Sequence, residues 1–568
     1  MSRAPATIAG RAATIATIAV VSSSTAVGLL ASRPDSPLTP PLPPGAEAPT
    51  LLARAAEVLS LDRLPRDAAA ALSAVLLFAA VAAFLYALRL AWRGSLGVGR
   101  VIIVGVLLHI LALTIPLFLS RDVYSYGMYG RMVSEYGANP FVTTPDAFPQ
   151  DPMFRFVSRD WQDSPSVYGP AFVALSAGIT SVATSPAAMV WAFKLVAVLA
   201  SLATMFLVVA GARRVHPERT AFAATLVAWN PVVVFHGVAG GHNDALVGLA
   251  VAGAVLLILS RRELVGTGIL VLGSLVKVTA VIPLVVAVGA AVLRRPGRRL
   301  GVLGMHAGVG ALVSLPFVVL FLQTRDPTLG TLELSTRQGW LAPSAFLWNL
   351  LRGAGRLLGL PGVGTAAGFL ARIAFPAILV AVLIALIRHL ARDPQRITPE
   401  ITVAAMGWAM LIALMTSPLL LPWYAVVVMP FAWLLPRVAR GGAIFLAVVL
   451  AITELVADSS SSPPLWEAMV IGLHWVASPA ALVIMVRLLL ELRRRLALGP
   501  AQGARDPLLV AELPAASVAV AGLSACARGS DVSRRADEDG SPDSARPARR
   551  DAGDIGAHRA EDETRQTR

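Results

Sequence analysis

Five short segments place polar, charged and aromatic residues between long apolar runs, where such residues could do chemistry. The first segment, residues 120–126, holds Asp122 directly after an apolar run, and its Tyr124 and Tyr126 are candidate substrate contacts. A carboxylate at the end of a membrane helix is partly desolvated, which makes it a stronger general base. The alternative interpretation is structural, with a helix-end aspartate paired with Arg121. The segment therefore predicts either a general base or an ion pair.

Aromatic residues mark two more of these segments. Trp161 and Tyr168 belong to the second segment, and Trp423 and Tyr424 end the fifth, which contains two prolines. Such rings can stack on a sugar face or a lipid headgroup, although an interfacial aromatic belt uses the same residue types. Asn139 precedes a proline, which is typical of a turn, and it joins these four residues as a candidate for substrate binding.

The third segment concentrates four polar residues between two apolar runs, namely Asn230, His242, Asn243 and Asp244. Polar side chains at membrane depth are costly and usually functional. One histidine and one aspartate are too few for a typical metal site, which needs three or four ligands. We therefore predict neither a metal nor a cofactor. The pattern favours contacts with hydroxyl or phosphate groups, and these four residues are the candidates for them.

Lysine is rare in this chain, because only Lys194 and Lys277 are lysines among 48 basic residues. Lys277 forms the fourth segment and lies between two short apolar runs, at a predicted outer helix tip. An ammonium group there suits a phosphate group as a point charge. The alternative is a side chain that only snorkels to the membrane interface. Lys194 lies inside a predicted span, and the sequence leaves its role open.

The elements that must position these residues are membrane helices. Of the 568 residues, 56% are hydrophobic and 14% are charged, against about 25% charged in an average soluble domain. The apolar runs of roughly 17–25 residues are long enough to cross about 30 Å of hydrocarbon. The net charge of +14 comes from arginines in short loops, which is typical of cytoplasmic loops and not of nucleic-acid binding. The single cysteine, Cys526, excludes an intramolecular disulfide.

We therefore predict an all-α polytopic membrane protein with roughly 12–14 membrane helices, among them spans near 100–119 and 440–457. Residues 1–67 are predicted to form an N-terminal membrane segment and a Pro-rich linker, residues 68–499 the main membrane domain, and residues 500–568 a disordered cytoplasmic tail. A cleaved signal peptide at about 7–31 is the alternative to an uncleaved first helix.

The arginine-rich turns predict the orientation of the chain. If the spans alternate, these turns all face the cytoplasm, provided that residues 168–185 lie on the outer surface without crossing. The long loop at 120–186, with its surface helices, and the tip at Lys277 then lie on the extracytoplasmic side of the plasma membrane. All the candidate segments share that compartment.

Taken in order, the motifs resemble those of the actinobacterial α-(1→6)-mannopyranosyltransferases that use polyprenyl-phosphate mannose. Those enzymes belong to the GT-C superfold of membrane glycosyltransferases. The matching segments are SRDVYSY at 120–126, GANPF at 137–141, SVYGP at 166–170, NP with GGHNDAL at 230–246, Lys277, and SPLLLPWY at 417–424. The resemblance covers about residues 100–430.

The resemblance implies a reaction and its partners. Asp122 would deprotonate an acceptor hydroxyl, which attacks the anomeric carbon of a polyprenyl-phosphate sugar and inverts its configuration. Lys277, His242 and the weaker candidate Arg121 would stabilise the phosphate leaving group, as transition-state anions generally require. The implied acceptor is a lipid-anchored cell-envelope glycan such as a lipomannan core, and membrane lipids surround both substrates.

Two positions depart from the family pattern. Leu421 stands where glutamine is frequent, and Phe141 stands where tyrosine is expected. Both departures leave the donor sugar open, so an arabinose or glucose donor handled by the same fold is an alternative to mannose. A lipid or glycan transporter is an alternative from another class, but the sequence shows no clear repeat and few acidic residues at span centres. A non-catalytic assembly partner is the last alternative.

Overall fold

The computed structural model describes residues 4–43, 51–321, 341–360, 362–497 and Leu508. Within these residues every regular element is helical, so the predicted all-α class is confirmed. The helices before the long break are α1 (Ala4–Ala31), α2 (Ala53–Val58), α3 (Arg66–Trp92), α4 (Val98–Thr114), α5 (Asp122–Ser134), α6 (Arg159–Gln162), α7 (Pro170–Thr180), α8 (Pro186–Val215), α9 (Thr220–Ala228), α10 (Asp244–Leu259), α11 (Glu263–Val276), α12 (Val281–Leu293) and α13 (Arg299–Phe321). The helices after it are α14 (Pro343–Leu357), α15 (Gly362–Arg392), α16 (Pro399–Thr416), α17 (Met429–Ala432), α18 (Arg437–Ala451), α19 (Pro463–Gly472) and α20 (Ser478–Ala497).

Seven of the described helices are long and apolar enough to cross a membrane. An eighth span results if Pro217–Ala228 and the π-helix Val232–Ala239, bent by 45° relative to each other, count as one. Six other apolar helices have 10–17 residues. Even 17 helical residues reach only about 26 Å, less than the hydrocarbon thickness of about 30 Å. The predicted 12–14 membrane helices therefore divide into seven or eight full-length spans and several shorter apolar helices.

The polypeptide between α4 and α5 is held in place by long-range hydrogen bonds. The predicted span 100–119 was too long, because α4 ends at Thr114 and the chain is irregular up to Asp122. Lys194 Nζ, buried in α8, donates to the backbone oxygens of Leu113 and Ile115. This lysine therefore satisfies carbonyl groups that the helix end leaves unpaired, which gives it a structural role in positioning the start of α5.

The first part of the Pro-rich segment packs against the same region. Leu38 is fully buried, and its carbonyl oxygen accepts a hydrogen bond of 2.9 Å from the backbone N–H of Leu119. The carbonyl oxygen of Pro37 accepts a bond of 2.8 Å from the backbone N–H of Ala457. The segment predicted as an extended linker thus joins two loops of the membrane domain, as far as it is described. Residues 44–50 and nearly all of the predicted tail at 500–568 lie outside the described residues.

Two short helices, α5 and α7, pack against each other after α4. α7 has 11 residues and reaches about 17 Å, which is too short to cross a membrane. The loop before α7 contacts the end of α11, because the N–H of Gly169 donates to the carbonyl oxygen of Val276 at 3.0 Å. A Cβ atom at Gly169 would overlap the backbone carbonyl of Leu275, so only glycine permits this approach.

Gly169→Ala is expected to destabilise the protein by about 1–3 kcal/mol, because the new methyl group must push two backbone segments apart. The measurement is the thermal unfolding midpoint of the detergent-solubilised protein. Gly178→Ala is the matched control, since a Cβ atom at this α7 position meets nothing within 4 Å. Equal midpoints for the two variants would show that the loop is not packed as described.

Candidate active site

A cavity of about 470 Å³ brings together residues from four distant parts of the chain. Six of the residues predicted from the sequence line it, namely Asp122, Trp161, Tyr168, Lys277, Trp423 and Tyr424. A carboxylate, an ammonium group and four aromatic rings therefore face one space. This volume lies within the range of small-molecule sites, about 300–1,000 Å³.

Asp122 is the first residue of α5, at the helix N-terminus. Its backbone N–H donates to Ser120 Oγ at 3.2 Å. The partial positive charge of a helix N-terminus is complementary to the negative charge of a carboxylate. The side chain is 21% exposed, and its Oδ2 lies 3.5 Å from His242 Nδ1.

His242 lies behind Asp122 and does not line the cavity. Its side chain is fully buried, and its ring stacks on Trp423 with centroids 3.6 Å apart and planes at 13°. The hydroxyl oxygen of Tyr126 lies 3.4 Å from the same Nδ1 that approaches Asp122. His242 is thus placed to orient Asp122 and Trp423, and this burial does not support the predicted direct contact with phosphate.

Lys277 lies in the break between α11 and the helical turn that leads into α12, at the predicted outer tip. Its Nζ donates to Asp244 Oδ2 at 2.7 Å and lies 4.3 Å from the centre of the Tyr424 ring. Burial by itself would lower the pKa of Lys277, but neighbouring groups, with Asp244 first among them, raise it overall. The side chain therefore stays an ammonium ion. Because an ammonium has three donors, the bond to Asp244 leaves others for a ligand.

The aromatic residues that line the cavity pack against further rings, and Tyr126, a predicted substrate contact, is one of these buried rings and does not line the cavity. Tyr126 and Tyr168 meet edge to face with ring centroids 4.9 Å apart. Burial, and then the negative charge of Asp122, raises the pKa of Tyr168 well above its usual range, so its hydroxyl stays neutral. Rings of this kind offer flat apolar faces with polar edges, which suits a sugar.

Three predicted substrate contacts have structural roles instead. Asn230 donates to the carbonyl oxygen of Leu226 and accepts from the backbone N–H of Val232, so it satisfies the backbone where α9 ends. Tyr124 is buried and stacks on Phe156. The side chain of Asn139 accepts from the backbone N–H of its own turn and does not line the cavity. Local hydrogen bonding explains the polarity of the two asparagines without a ligand.

Three more residues predicted from the sequence, Asp244, Arg121 and Asn243, do not line the cavity. Asp244 holds Lys277 and is itself 1% exposed, so it acts on the site through the lysine. Arg121 does not line the cavity, and the charge that acts on it is Asp458, not a group of the cavity. Asn243 precedes α10 as its N-cap and is buried, with no hydrogen-bond partner for its side-chain amide among the described residues.

Thr279 and Glu454, which were not predicted from the sequence, each line a cavity. Thr279 lines the main cavity, and its hydroxyl oxygen has no partner within the described part of the chain. Glu454 lines a second cavity and approaches His236. An acidic residue inside the predicted span 440–457 was the available signal for Glu454, because carboxylates at membrane depth are rare. The structure ends α18 at Ala451 and places Glu454 in the following loop.

In the described residues, no group of three or more His, Cys, Asp or Glu side chains is arranged to hold a metal ion. The charged side chains among the described residues that line the cavity are those of Asp122, Asp160 and Lys277.

Residues 13–294, about half of the chain, match the sequence profile of the family described as alpha-(1->6)-mannopyranosyltransferase, N-terminal domain. Over these residues the chain is similar to this family. The matched residues include Asp122, His242, Asp244 and Lys277, so the family assignment predicted from the motifs is confirmed. The profile match ends before Trp423 and Tyr424.

Two members of the family show how far the likeness extends. Alpha-(1->6)-mannopyranosyltransferase A of Corynebacterium glutamicum is 32% identical over 186 residues, which are 31% of this chain and 37% of that protein. Alpha-(1->6)-mannopyranosyltransferase A of Mycobacterium tuberculosis is 28% identical over 379 residues, which are 62% of this chain and 69% of that protein. The match to the first relative thus spans little more than a third of its length.

Among solved structures, the apo form of the Archaeoglobus fulgidus oligosaccharyltransferase has a TM-score of 0.35 and 12% sequence identity with this chain. The alignment covers 69% of this chain and 56% of that one. This likeness is too low to decide details of the fold or of the activity.

Proposed function

We propose that this chain is a membrane mannosyltransferase that moves mannose from polyprenyl phosphate to a lipid-anchored glycan of the cell envelope. The observation that carries the proposal is that Asp122 and Lys277 line one cavity. A base and a cation on one cavity suit the transfer of a sugar from a phosphate to a hydroxyl. The similarity of residues 13–294 to the mannopyranosyltransferase family supports mannose as the sugar.

The proposed reaction follows from the positions of the two charged groups. Asp122 takes the proton of the acceptor hydroxyl, whose oxygen forms a bond to the anomeric carbon. The bond between that carbon and the phosphate oxygen breaks, and the electron pair leaves with the polyprenyl phosphate. Lys277 donates hydrogen bonds to the departing oxygen, where negative charge develops. The configuration at the anomeric carbon inverts, and Asp122 later releases its proton to water.

We place the cavity on the extracytoplasmic side of the plasma membrane. The proposal rests on the distribution of arginine. If the spans alternate, the arginine-rich turns all lie on the side opposite to the cavity, which is the cytoplasmic side. These turns lie at 89–100, 213–219, 261–262, 294–299, 388–396, 437–440 and 493–495. On this arrangement the donor reaches the site from the outer leaflet, with its polyprenyl chain in the bilayer.

The donor is tested with membranes from cells that express the chain. Labelled polyprenyl-phosphate mannose, arabinose and glucose are supplied separately, together with a glycan acceptor, and the labelled product is analysed. We expect transfer of mannose at a rate at least about tenfold above that of the other sugars, since poorly matched hydroxyl contacts cost this much or more. Transfer of arabinose or glucose alone would replace the sugar, and no transfer from any polyprenyl donor would reject the proposed function.

A further inference from the structure

A second cavity, of about 300 Å³, adjoins the first. Leu421 lines both cavities, and the segment from Leu421 to Tyr424 lies between them. The loop before α5 borders both as well, because Leu119 lines the second cavity and Asp122 lines the first. An occupant of the second cavity therefore lies beside the loop that carries the proposed base.

Glu454 is the carboxyl group among the described lining residues of the second cavity. Its side chain is 29% exposed, and its Oε2 lies 3.9 Å from Nδ1 of His236, which is buried. His236 Nε2 in turn lies 3.3 Å from the carbonyl oxygen of Ala451. The polypeptide that contains the π-helix thus places one histidine behind Glu454 and another, His242, behind Asp122.

The protonation of Glu454 suits a neutral, hydroxyl-bearing ligand. Burial, and then the negative charge of Asp122, raises the pKa of Glu454 to about 8. An acid with a raised pKa is protonated below that value, so at neutral pH Glu454 is mostly a neutral carboxyl group. A neutral carboxyl group can donate one hydrogen bond and accept others, which is what two neighbouring sugar hydroxyls need.

The two cavities differ in charge. Lys277 lines the first, whereas none of the described residues that line the second is a lysine or an arginine. The second cavity instead has apolar walls that include Trp466 and Met469. A phosphate group has a cationic partner in the first cavity and none in the second, so a donor phosphate fits the first and an uncharged sugar fits the second.

The direction of the reaction agrees with this division. In an inverting transfer the hydroxyl attacks from the face opposite to the leaving phosphate. Lys277 marks the phosphate side of the first cavity, and Asp122 marks the hydroxyl side. The segment that leads into α5 also borders the second cavity, so an acceptor held there lies close to the base.

We propose that the second cavity binds the terminal sugar of the acceptor and that Glu454 hydrogen-bonds hydroxyl groups of that sugar. The proposal rests on the function proposed above, because it needs a donor phosphate in the first cavity. Glu454 is a specificity residue for the acceptor, and it takes no part in breaking the bond to phosphate.

The test is steady-state mannose transfer by the full-length protein, with polyprenyl-phosphate mannose as donor and an octyl α-(1→6)-linked dimannoside as acceptor. Glu454→Ala is expected to raise the KM for the acceptor by about tenfold, the effect of losing hydrogen bonds to a ligand. The KM for the donor should stay within about twofold. Glu454→Gln keeps a donor and an acceptor, so it should restore most of the affinity for the acceptor.

Glu467→Ala is the matched control, because Glu467 is an exposed glutamate on α19, beside Trp466. Its acceptor KM and donor KM should both equal those of the wild type. An unchanged acceptor KM in Glu454→Ala would overturn the proposal. A Gln variant as impaired as the Ala variant would also overturn it, since Glu454 would then act through ionisation.

A second variant covers the case in which Glu454→Ala does not fold. Ala457→Leu adds bulk to the wall of the second cavity and should raise the acceptor KM without changing the donor KM. Equal constants in this variant and the wild type would count against the site.

The experiment distinguishes a failure of the proposed acceptor site from a failure of the proposed function. If the wild type transfers mannose and the Glu454 and Ala457 variants behave like it, only the acceptor site is wrong. If the wild type transfers no sugar, the proposed function is wrong, and binding of the dimannoside is measured by saturation-transfer NMR. Binding that is lost in Glu454→Ala would still support the site, and equal binding would reject it.

Discussion

Asp122→Asn is expected to abolish sugar transfer, with a fall in kcat of about 10²–10⁴-fold, the usual contribution of a positioned general base. The amide has the size of the carboxylate but cannot accept the hydroxyl proton. Because Asp122 is partly exposed and, among the described residues, has no ion pair besides its contact with His242, the substitution should not disturb the fold. The measurement is the rate of mannose transfer in membranes with matched amounts of protein.

The control for Asp122→Asn is Asp163→Asn, which makes the same change at an exposed position directly after α6. It should leave the rate unchanged. If Asp122→Asn transferred mannose at the wild-type rate and normal expression, Asp122 would not be the base. The helix-end interpretation of this aspartate would then be correct.

Removal of the cation is expected to have the second largest effect. Lys277→Met deletes a hydrogen-bond donor to the leaving phosphate, and loss of one such donor typically lowers kcat by about 10²–10³-fold. The single variant also leaves the buried carboxylate of Asp244 without its 2.7 Å partner, which costs about 3–5 kcal/mol of stability. A loss of activity in this variant alone would therefore have two possible causes.

The double variant Lys277→Met with Asp244→Asn separates these causes. It removes both charges together, so the thermal unfolding midpoint should return close to that of the wild type. Transfer should stay as low as in Lys277→Met alone, because the phosphate still lacks its donor. Recovery of transfer with recovery of stability would instead show that Lys277 is a structural residue.

The general class of the protein and its two charged groups were predictable because the relevant chemistry is local. Long apolar runs at this composition indicate membrane helices, and every regular element among the described residues is helical. A carboxylate directly after such a run and a lysine in an arginine-rich chain both stand out in the sequence, whatever direction their side chains take in the fold. Asp122 and Lys277 were therefore predicted without knowledge of any neighbour, and both line the main cavity.

Polar residues at helix ends were harder to interpret. Asn230 looked like a substrate contact, yet its amide satisfies the backbone around the break after α9 and approaches Met429. Glu454 was missed because the predicted span 440–457 enclosed it, whereas α18 ends at Ala451. In both cases the position of a helix end decided the role, and a run of apolar residues continues across such an end without a visible change.

The pairings inside the site depended on the tertiary structure alone. His242 faces Asp122, Asp244 faces Lys277, and His236 faces Glu454. Helices that are apolar on all sides show no stripe from which to predict the buried face, so their sequences establish that they form but not how they are rotated. That rotation is set by side-chain packing between distant segments, and it turns the predicted base and cation toward one cavity.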